Sequence, residues 1–238
     1  MLADPTYDLR AGGSDLARFS ADVKSACLLE ADGFVIDTVV WIAPSYGSNF
    51  RSTYESNWSL DTSSWSEAVR RAGKAPIDVL TDLASKAASQ RNLDFNDTAF
   101  TLALVQGYYQ ADPDLERHRS SFENYRHVVR AAVLEAGGSG SVIFPDNVLQ
   151  SATGTANALR EHHRGKSVFL TKSGRFGLAN SAAMEVRDVC CIFLGATVPF
   201  VLAPAGRGRY RLVGEAYLHG VMAGELVHQY KHGTVVLE

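Results

Sequence analysis

The stretch that decides the fold runs from Lys172 to Leu226 and reads KSGRFGLANSAAMEVRDVCCIFLGATVPFVLAPAGRGRYRLVGEAYLHGVMAGEL. Its short apolar runs are separated by glycine and proline turns, a pattern typical of antiparallel strands. With its flanks, it predicts strands at Ser167–Thr171, Arg175–Ala179, Val189–Leu194, Val198–Ala203, Tyr210–Tyr217 and Thr234–Leu237. The predicted turns include Pro204-Ala205-Gly206. Several short strands of this kind indicate a small, bent antiparallel β-sheet or partial barrel.

A second β-rich stretch lies near the start of the sequence, from Val23 to Ile42. Asp32-Gly33 divides it into two apolar runs, and Asp-Gly between such runs is a strong hairpin signal. A lone hairpin is only marginally stable. We therefore expect this early hairpin to join the sheet formed by the later strands.

The region between these β-rich stretches has helical periodicity. Helix starts are predicted near Ser64 with Glu67, at Pro76, at Asn96 or Asp97, at Asp112-Pro113 and at Thr155. The predicted fold class is therefore α+β, with a multi-helix insertion in a small bent sheet. We expect one unit over residues 1–238, with a lead-in at 1–20, a β-hairpin at 21–43, a helical insertion at 61–165 and a β-rich subdomain at 166–238.

Composition and net charge argue against some classes of binding partner. The chain has 238 residues, a formal net charge of −3 and 46% hydrophobic residues, which is ordinary globular composition. Such a charge favours neither nucleic acid nor anionic membranes as partners. The basic run Arg207, Arg209 and Arg211 is interpreted as a solvated hairpin edge. We identify no secretory signal and no membrane-spanning segment, so a cytoplasmic location is expected.

The three cysteines, Cys27, Cys190 and Cys191, are an odd number and each lies in an apolar stretch. Adjacent cysteines on a strand point to opposite faces and rarely pair with each other. We expect them to pack as small hydrophobic residues in a reducing compartment.

Known catalytic templates are not matched by the sequence. Gly138-Ser139-Gly140 is not placed as a nucleophile elbow, and Gly206-Arg207-Gly208 lacks the features of a phosphate loop. The adjacent histidines of Glu161-His162-His163 diverge on a helix, which argues against a metal site. We predict no catalytic residue, no metal and no cofactor.

Two chemical alternatives stay open at this stage. Glu215 and His219 share one face of a predicted strand and have the spacing of a general acid/base pair. Cys190 or Cys191, with His219 as base, would form a nucleophilic pair. The structural interpretation, in which these groups bond to neighbouring backbone or pack in the core, is favoured for both sets.

The stretch quoted above resembles the carboxy-terminal signature of fungal heterokaryon-incompatibility (HET-domain) proteins. The matching blocks are Gly174–Gly177, Asp188–Gly195, Pro199–Leu202, Leu212–Gly220 and Gly224-Glu225, and Gly33–Asp37 resembles an earlier part of the pattern. Two positions depart from it. Arg187 stands where the family usually has glycine, and Ala203 stands where an arginine often follows.

The resemblance implies a non-catalytic regulatory, scaffold or sensing region of a self/non-self recognition and cell-death protein. In that family a HET domain precedes this region, and its amino-terminal motifs are absent from these residues. The expected partners are a HET domain in cis or another protein, with self-association as a further option. The binding candidates are Arg175, Glu215, Tyr217 and His219. The alternative function is a small hydrolase or ligand-binding domain that uses a Cys/His/Glu group.

Overall fold

A computed structural model describes residues 19–22, 28–43, 74–106, 115–136, 143–163, 165–180 and 182–238. Its strands are β1 (Phe19–Asp22), β2 (Leu28–Ile42), β3 (Lys166–Thr171), β4 (Phe176–Asn180), β5 (Val189–Phe193), β6 (Phe200–Gly206), β7 (Arg209–Leu218) and β8 (Gly233–Leu237). Its helices are α1 (Pro76–Ser89), α2 (Asp97–Leu104), α3 (Leu115–Ala136) and α4 (Asp146–His162). The chain divides into a β unit, Met1–Ile42 with Lys166–Glu238, and a helical unit, Ala43–Gly165.

The sheet of the β unit bends so strongly that its last strand, β5, pairs with β2 near its other end. The strand order is β1-β2-β3-β4-β7-β6-β5, and β2 also pairs with β5. The carboxyl-terminal part of β2, from Val39 to Ile42, pairs with β3, whereas Gly33 to Thr38 pair with β5. The predicted α+β class, with a bent antiparallel sheet or partial barrel, is therefore confirmed.

Strand β8 closes a second, smaller set of pairings. It runs antiparallel to β2 over Leu29–Gly33 and parallel to β7 at Arg209 and Tyr210. Strands β2, β8, β7, β6 and β5 thus surround a core of their own. Because β2 and β7 are long, both take part in the two sets of pairings.

Strands β5 and β6 form the wall between two apolar cores. The first core contains residues from β2 to β7 and from the segment after β7: Phe34, Ile36, Val39, Phe169, Ala179, Met184, Cys190, Ile192, Val201, Ala216, Leu218, Val221 and Leu226. The second core contains Ala31, Val189, Cys191, Phe193, Leu202, Val235 and Leu237. Strand β5 is buried on both faces, which explains why its sequence is continuously apolar rather than alternating.

The predicted turn at Asp32-Gly33 is wrong, although an early antiparallel pair of strands is present. Strand β1 pairs with the start of β2, and β2 continues through Gly33 without a break. A Cβ atom at Gly33 would lie 2.5 Å from the Ile192 carbonyl oxygen. The glycine therefore permits the close approach of β2 to β5 rather than a turn.

The predicted turn at Pro204–Gly206 also differs from the structure, because β6 extends to Gly206. The chain reverses at Arg207 and Gly208, whose φ angles of 53° and 74° suit a type I′ hairpin turn. The missing N–H of Pro204 is tolerated because the β5–β6 pairing ends at Leu202.

Ion pairs connect the helices of the helical unit. Arg126 of α3 contacts Asp97 of α2 at 2.7 Å, and Arg130 contacts Asp78 of α1 at 2.6 Å. The Asn96 side chain caps α2 by accepting a bond from the Ala99 amide, as one of the two predicted caps. Helix α4 begins at Asp146, well before the predicted Thr155.

Some sequence predictions fall outside the described residues. They include the helix near Ser64 and Glu67, the glycine-serine stretch after Ala136, and Cys27. Among the described helices, none has the length and apolar character needed to cross a membrane.

Candidate functional site

Strand β7 carries three of the four predicted binding residues on one face. Alternation along the strand places Glu215, Tyr217 and His219 together, because Ala216 and Leu218 point into the first core. Tyr217 is buried, His219 is partly buried and Glu215 is exposed. The three predicted residues therefore share a face but differ in their access to solvent.

Tyr217 and His219 contact each other and are influenced electrostatically by Glu225. The Tyr217 hydroxyl lies 3.3 Å from His219 Nδ1. Burial lowers the pKa of His219, and the Glu225 carboxylate opposes this shift. Burial also raises the pKa of the Tyr217 hydroxyl, with Glu225 adding to the shift. Glu225 was not among the predicted site residues, and only its position at the end of the quoted pattern pointed to it.

Glu215 belongs to a different local environment. Its electrostatic partner is Lys166 on β3. Burial lowers the pKa of Lys166, and the nearby Glu215 carboxylate opposes this shift. Lys166 pairs with Asn180 of β4, next to the strand that carries Glu215. The sequence did not indicate this neighbour, because 49 residues separate Lys166 from Glu215.

Arg175, the fourth predicted residue, contacts Asp37 of β2. Its Nη1 atom lies 3.6 Å from Asp37 Oδ2, and only 6% of the Asp37 side chain is exposed. The same carboxylate accepts bonds from the Thr38 amide at 2.8 Å and from the Ser173 amide at 3.2 Å, and the Ser173 hydroxyl also donates to it. Arg175 thus helps to hold the β3–β4 turn against β2.

The two described cysteines are packing residues. Cys190 lies in the first core and Cys191 in the second, on opposite faces of β5. Burial raises the pKa of both thiols, that of Cys191 to about 12. Thiols with raised pKa values are poor nucleophiles.

The geometry separates the Cys/His/Glu group of the alternative hypothesis. Cys190 points into the first core, whereas His219 lies on the opposite face of the sheet. Cys191 is two strands away from Glu215, about 10 Å at ordinary strand spacing. What the arrangement offers chemically is the hydrogen-bonded pair Tyr217 and His219, with the Glu225 carboxylate acting on both electrostatically. Within the described ranges, no group of three or more His, Cys, Asp or Glu residues is placed to hold a metal ion.

Fold and site together define an α+β protein with a bent, ring-like sheet that carries polar side chains on β7 and on the β3–β4 turn. The chain belongs to the Het-6 β-barrel domain family, whose model matches residues 83–237. The resemblance to the carboxy-terminal region of fungal HET-domain proteins is therefore confirmed.

One curated relative is the "Heterokaryon incompatibility protein 6, OR allele" of Neurospora crassa, which is 30% identical over 135 residues. The matched region covers 55% of this chain and 18% of the relative, so the chain spans a small part of that protein's length. The comparison with solved structures gave no match.

Proposed function

We propose that this chain is a non-catalytic regulatory, scaffold or sensing region of a fungal HET-type incompatibility protein. Its role would be to support or control a HET domain, in cis or in another protein, during self/non-self recognition and programmed cell death in the cytoplasm. Self-association is a further proposed mode of action. Membership of the Het-6 β-barrel family supports the incompatibility role.

The observation that carries the non-catalytic part of the proposal is the separation of the reactive groups. The Cys190 thiol is buried in the first core, and His219 lies on the other face of the sheet. A nucleophile and its base must be within about 3 Å of each other, or joined by one water molecule. This arrangement supports a scaffold more than a Cys/His hydrolase.

The test is an incompatibility assay in a fungus that expresses the full-length protein containing this region. Cys190→Ala and His219→Asn are compared with wild type for hyphal death after fusion with an incompatible strain. A scaffold requires neither group, so both variants should kill as efficiently as wild type at equal protein level.

Gly177→Ala and Gly233→Ala are the matched controls for folding. A Cβ atom at Gly177 would lie 2.7 Å from the Tyr217 carbonyl oxygen, whereas one at Gly233 meets nothing within 4 Å. Only Gly177→Ala should reduce the response. Loss of killing in both Cys190→Ala and His219→Asn, with protein level and folding unchanged, would contradict the scaffold and favour the Cys/His alternative, whereas loss in His219→Asn alone would indicate a binding role for that face of β7.

A further inference from the structure

Three exposed arginines lie near one end of the neighbouring strands β5, β6 and β7. They are Arg187, just before β5, Arg207 in the β6–β7 turn, and Arg211 on β7. None of the three forms an ion pair with the residues that the structure describes, whereas Arg126, Arg130, Arg175 and Arg209 each contact a carboxylate. These three arginines belong to the β unit of a chain whose net charge is negative.

The strand register places Arg187 near Arg211, and Arg207 lies in the turn at the end of β6 and β7. Val189 pairs with Leu202 and Ala203 pairs with Arg211, so Asp188, Ala203 and Arg211 lie in line across the wall. Two strand spacings separate Asp188 from Arg211, about 10 Å. Arg187 directly precedes Asp188, and Arg207 follows the last residue of β6.

The nearby carboxylates of Asp188 and Glu185 form no ion pair with these arginines in the part of the chain that the structure describes. Asp188 is 4% exposed, and its carboxylate accepts a bond from the Glu185 amide at 2.7 Å. Burial raises the pKa of Asp188, and Arg211 opposes this without forming an ion pair. The guanidinium groups of all three arginines therefore remain available to solvent.

Two of these arginines adopt unfavourable backbone conformations. The φ angles are 88° at Arg187 and 53° at Arg207, in the left-handed region that glycine or asparagine adopts more easily. Each costs about 1 kcal/mol relative to a residue suited to that region. Strained residues of this kind are concentrated at functional sites.

We infer that Arg187, Arg207 and Arg211 form a docking surface for an acidic segment of a protein partner. The inference rests on the proposed function, because a scaffold needs a protein partner and this surface would recognise one. A short acidic segment meets only the local positive charge. A long nucleic acid would also meet the net negative charge of the chain, which disfavours it.

The test uses the full 238-residue chain and a fluorescein-labelled deca-glutamate peptide, with binding followed by fluorescence anisotropy at low salt. The triple variant Arg187→Gln, Arg207→Gln and Arg211→Gln should bind about tenfold more weakly than wild type, the size expected for three exposed charge contacts. A control triple, Lys86→Gln, Arg160→Gln and Lys231→Gln, changes the net charge equally at exposed positions outside β5, β6 and β7. It should bind almost as well as wild type.

Three outcomes would overturn the inference. They are equal weakening by both triple variants, no measurable peptide binding by wild type, and tighter binding of a single-stranded DNA of the same charge. Circular dichroism of both triples confirms that the fold is retained. Because binding is measured on the isolated chain, its failure is distinguishable from failure of the incompatibility assay.

Discussion

Arg187 and Arg207 have strained backbone conformations and also belong to the proposed docking surface. The resemblance described above implies a glycine at the position of Arg187, and a φ of 88° is a conformation that glycine adopts more easily than arginine. We expect Arg187→Gly and Arg207→Asn each to raise the free energy of unfolding by about 0.5–1 kcal/mol, because relief of strain exceeds the entropy cost. Urea denaturation measures this change. A lower stability in either variant would mean that the arginine side chain contributes more to the fold than its conformation costs.

His118 is a buried histidine within the helical unit. Its Nε2 lies 3.2 Å from the Thr101 hydroxyl, which donates to the Thr98 carbonyl at 3.1 Å and so accepts from the imidazole. Burial lowers the pKa of His118 to about 4, partly opposed by Asp97.

This lowered pKa predicts a pH dependence of stability. The folded state prefers neutral His118, so its contribution is fully present above pH 6.5 and is lost as the pH falls towards 4. The loss is about 3 kcal/mol when complete. Unfolding of wild type and His118→Gln should be measured at pH 7 and pH 4.5, with exposed His127→Gln as the control. If His118→Gln loses as much stability on acidification as wild type does, the histidine is not responsible.

Between strands, Gly177 sets the distance from β4 to its neighbours. It pairs with Phe169 of β3 and Leu218 of β7. An added Cβ atom would lie 2.3 Å from Phe169 Cζ as well as close to the Tyr217 carbonyl. Gly177→Ala should therefore destabilise the protein by about 2–3 kcal/mol, as other overpacked sites do. Gly233→Ala should change the free energy of unfolding by less than about 0.5 kcal/mol. Thermal or urea unfolding that gives equal effects would contradict the close approach.

Asp37 joins β2 to the turn between β3 and β4. Asp37→Ala removes the acceptor of the Ser173 and Thr38 bonds as well as the ion pair with Arg175. We expect a loss of about 2–3 kcal/mol and faster amide exchange at Ser173. Asp37→Asn keeps an acceptor and should lose about half as much. Unchanged exchange at Ser173 in Asp37→Ala would show that other contacts hold the turn.

The strands after Gly165 were predictable because short apolar runs and turn residues are local signals. Asp32-Gly33 gave a misleading local signal, since the requirement for glycine comes from Ile192, 159 residues further along. The early start of α4 was missed because exposed polar residues and Gly154 obscure its apolar periodicity. For the candidate site, the shared face of Glu215, Tyr217 and His219 followed from strand alternation. The roles of Glu225 and Lys166 could not be predicted, because only the tertiary fold brings Glu225 close to Tyr217 and His219, and Lys166 close to Glu215.

For the β unit as a whole, the shared β5–β6 wall makes the two cores depend on each other. Val235→Ala removes apolar contacts from the second core, and its direct effect is on β8 and β2. We expect hydrogen exchange to show the same loss of protection in β3 and β4, which belong to the first core, because the wall cannot lose one face alone. Loss of protection confined to β8 and the start of β2 would show that the cores open separately.

Strand β2 has a further consequence for the synthesis of the protein. It is translated before its partners β3, β5 and β8, which begin only at Lys166, Val189 and Gly233. At ribosomal rates of about 5–20 residues per second, the nascent apolar segment remains without its partner β5 for roughly 7–30 s. During that time its hydrogen-bonding edges are open to other chains. The interval in which this protein most needs a chaperone is therefore set by the distance in the gene between one strand and its partners.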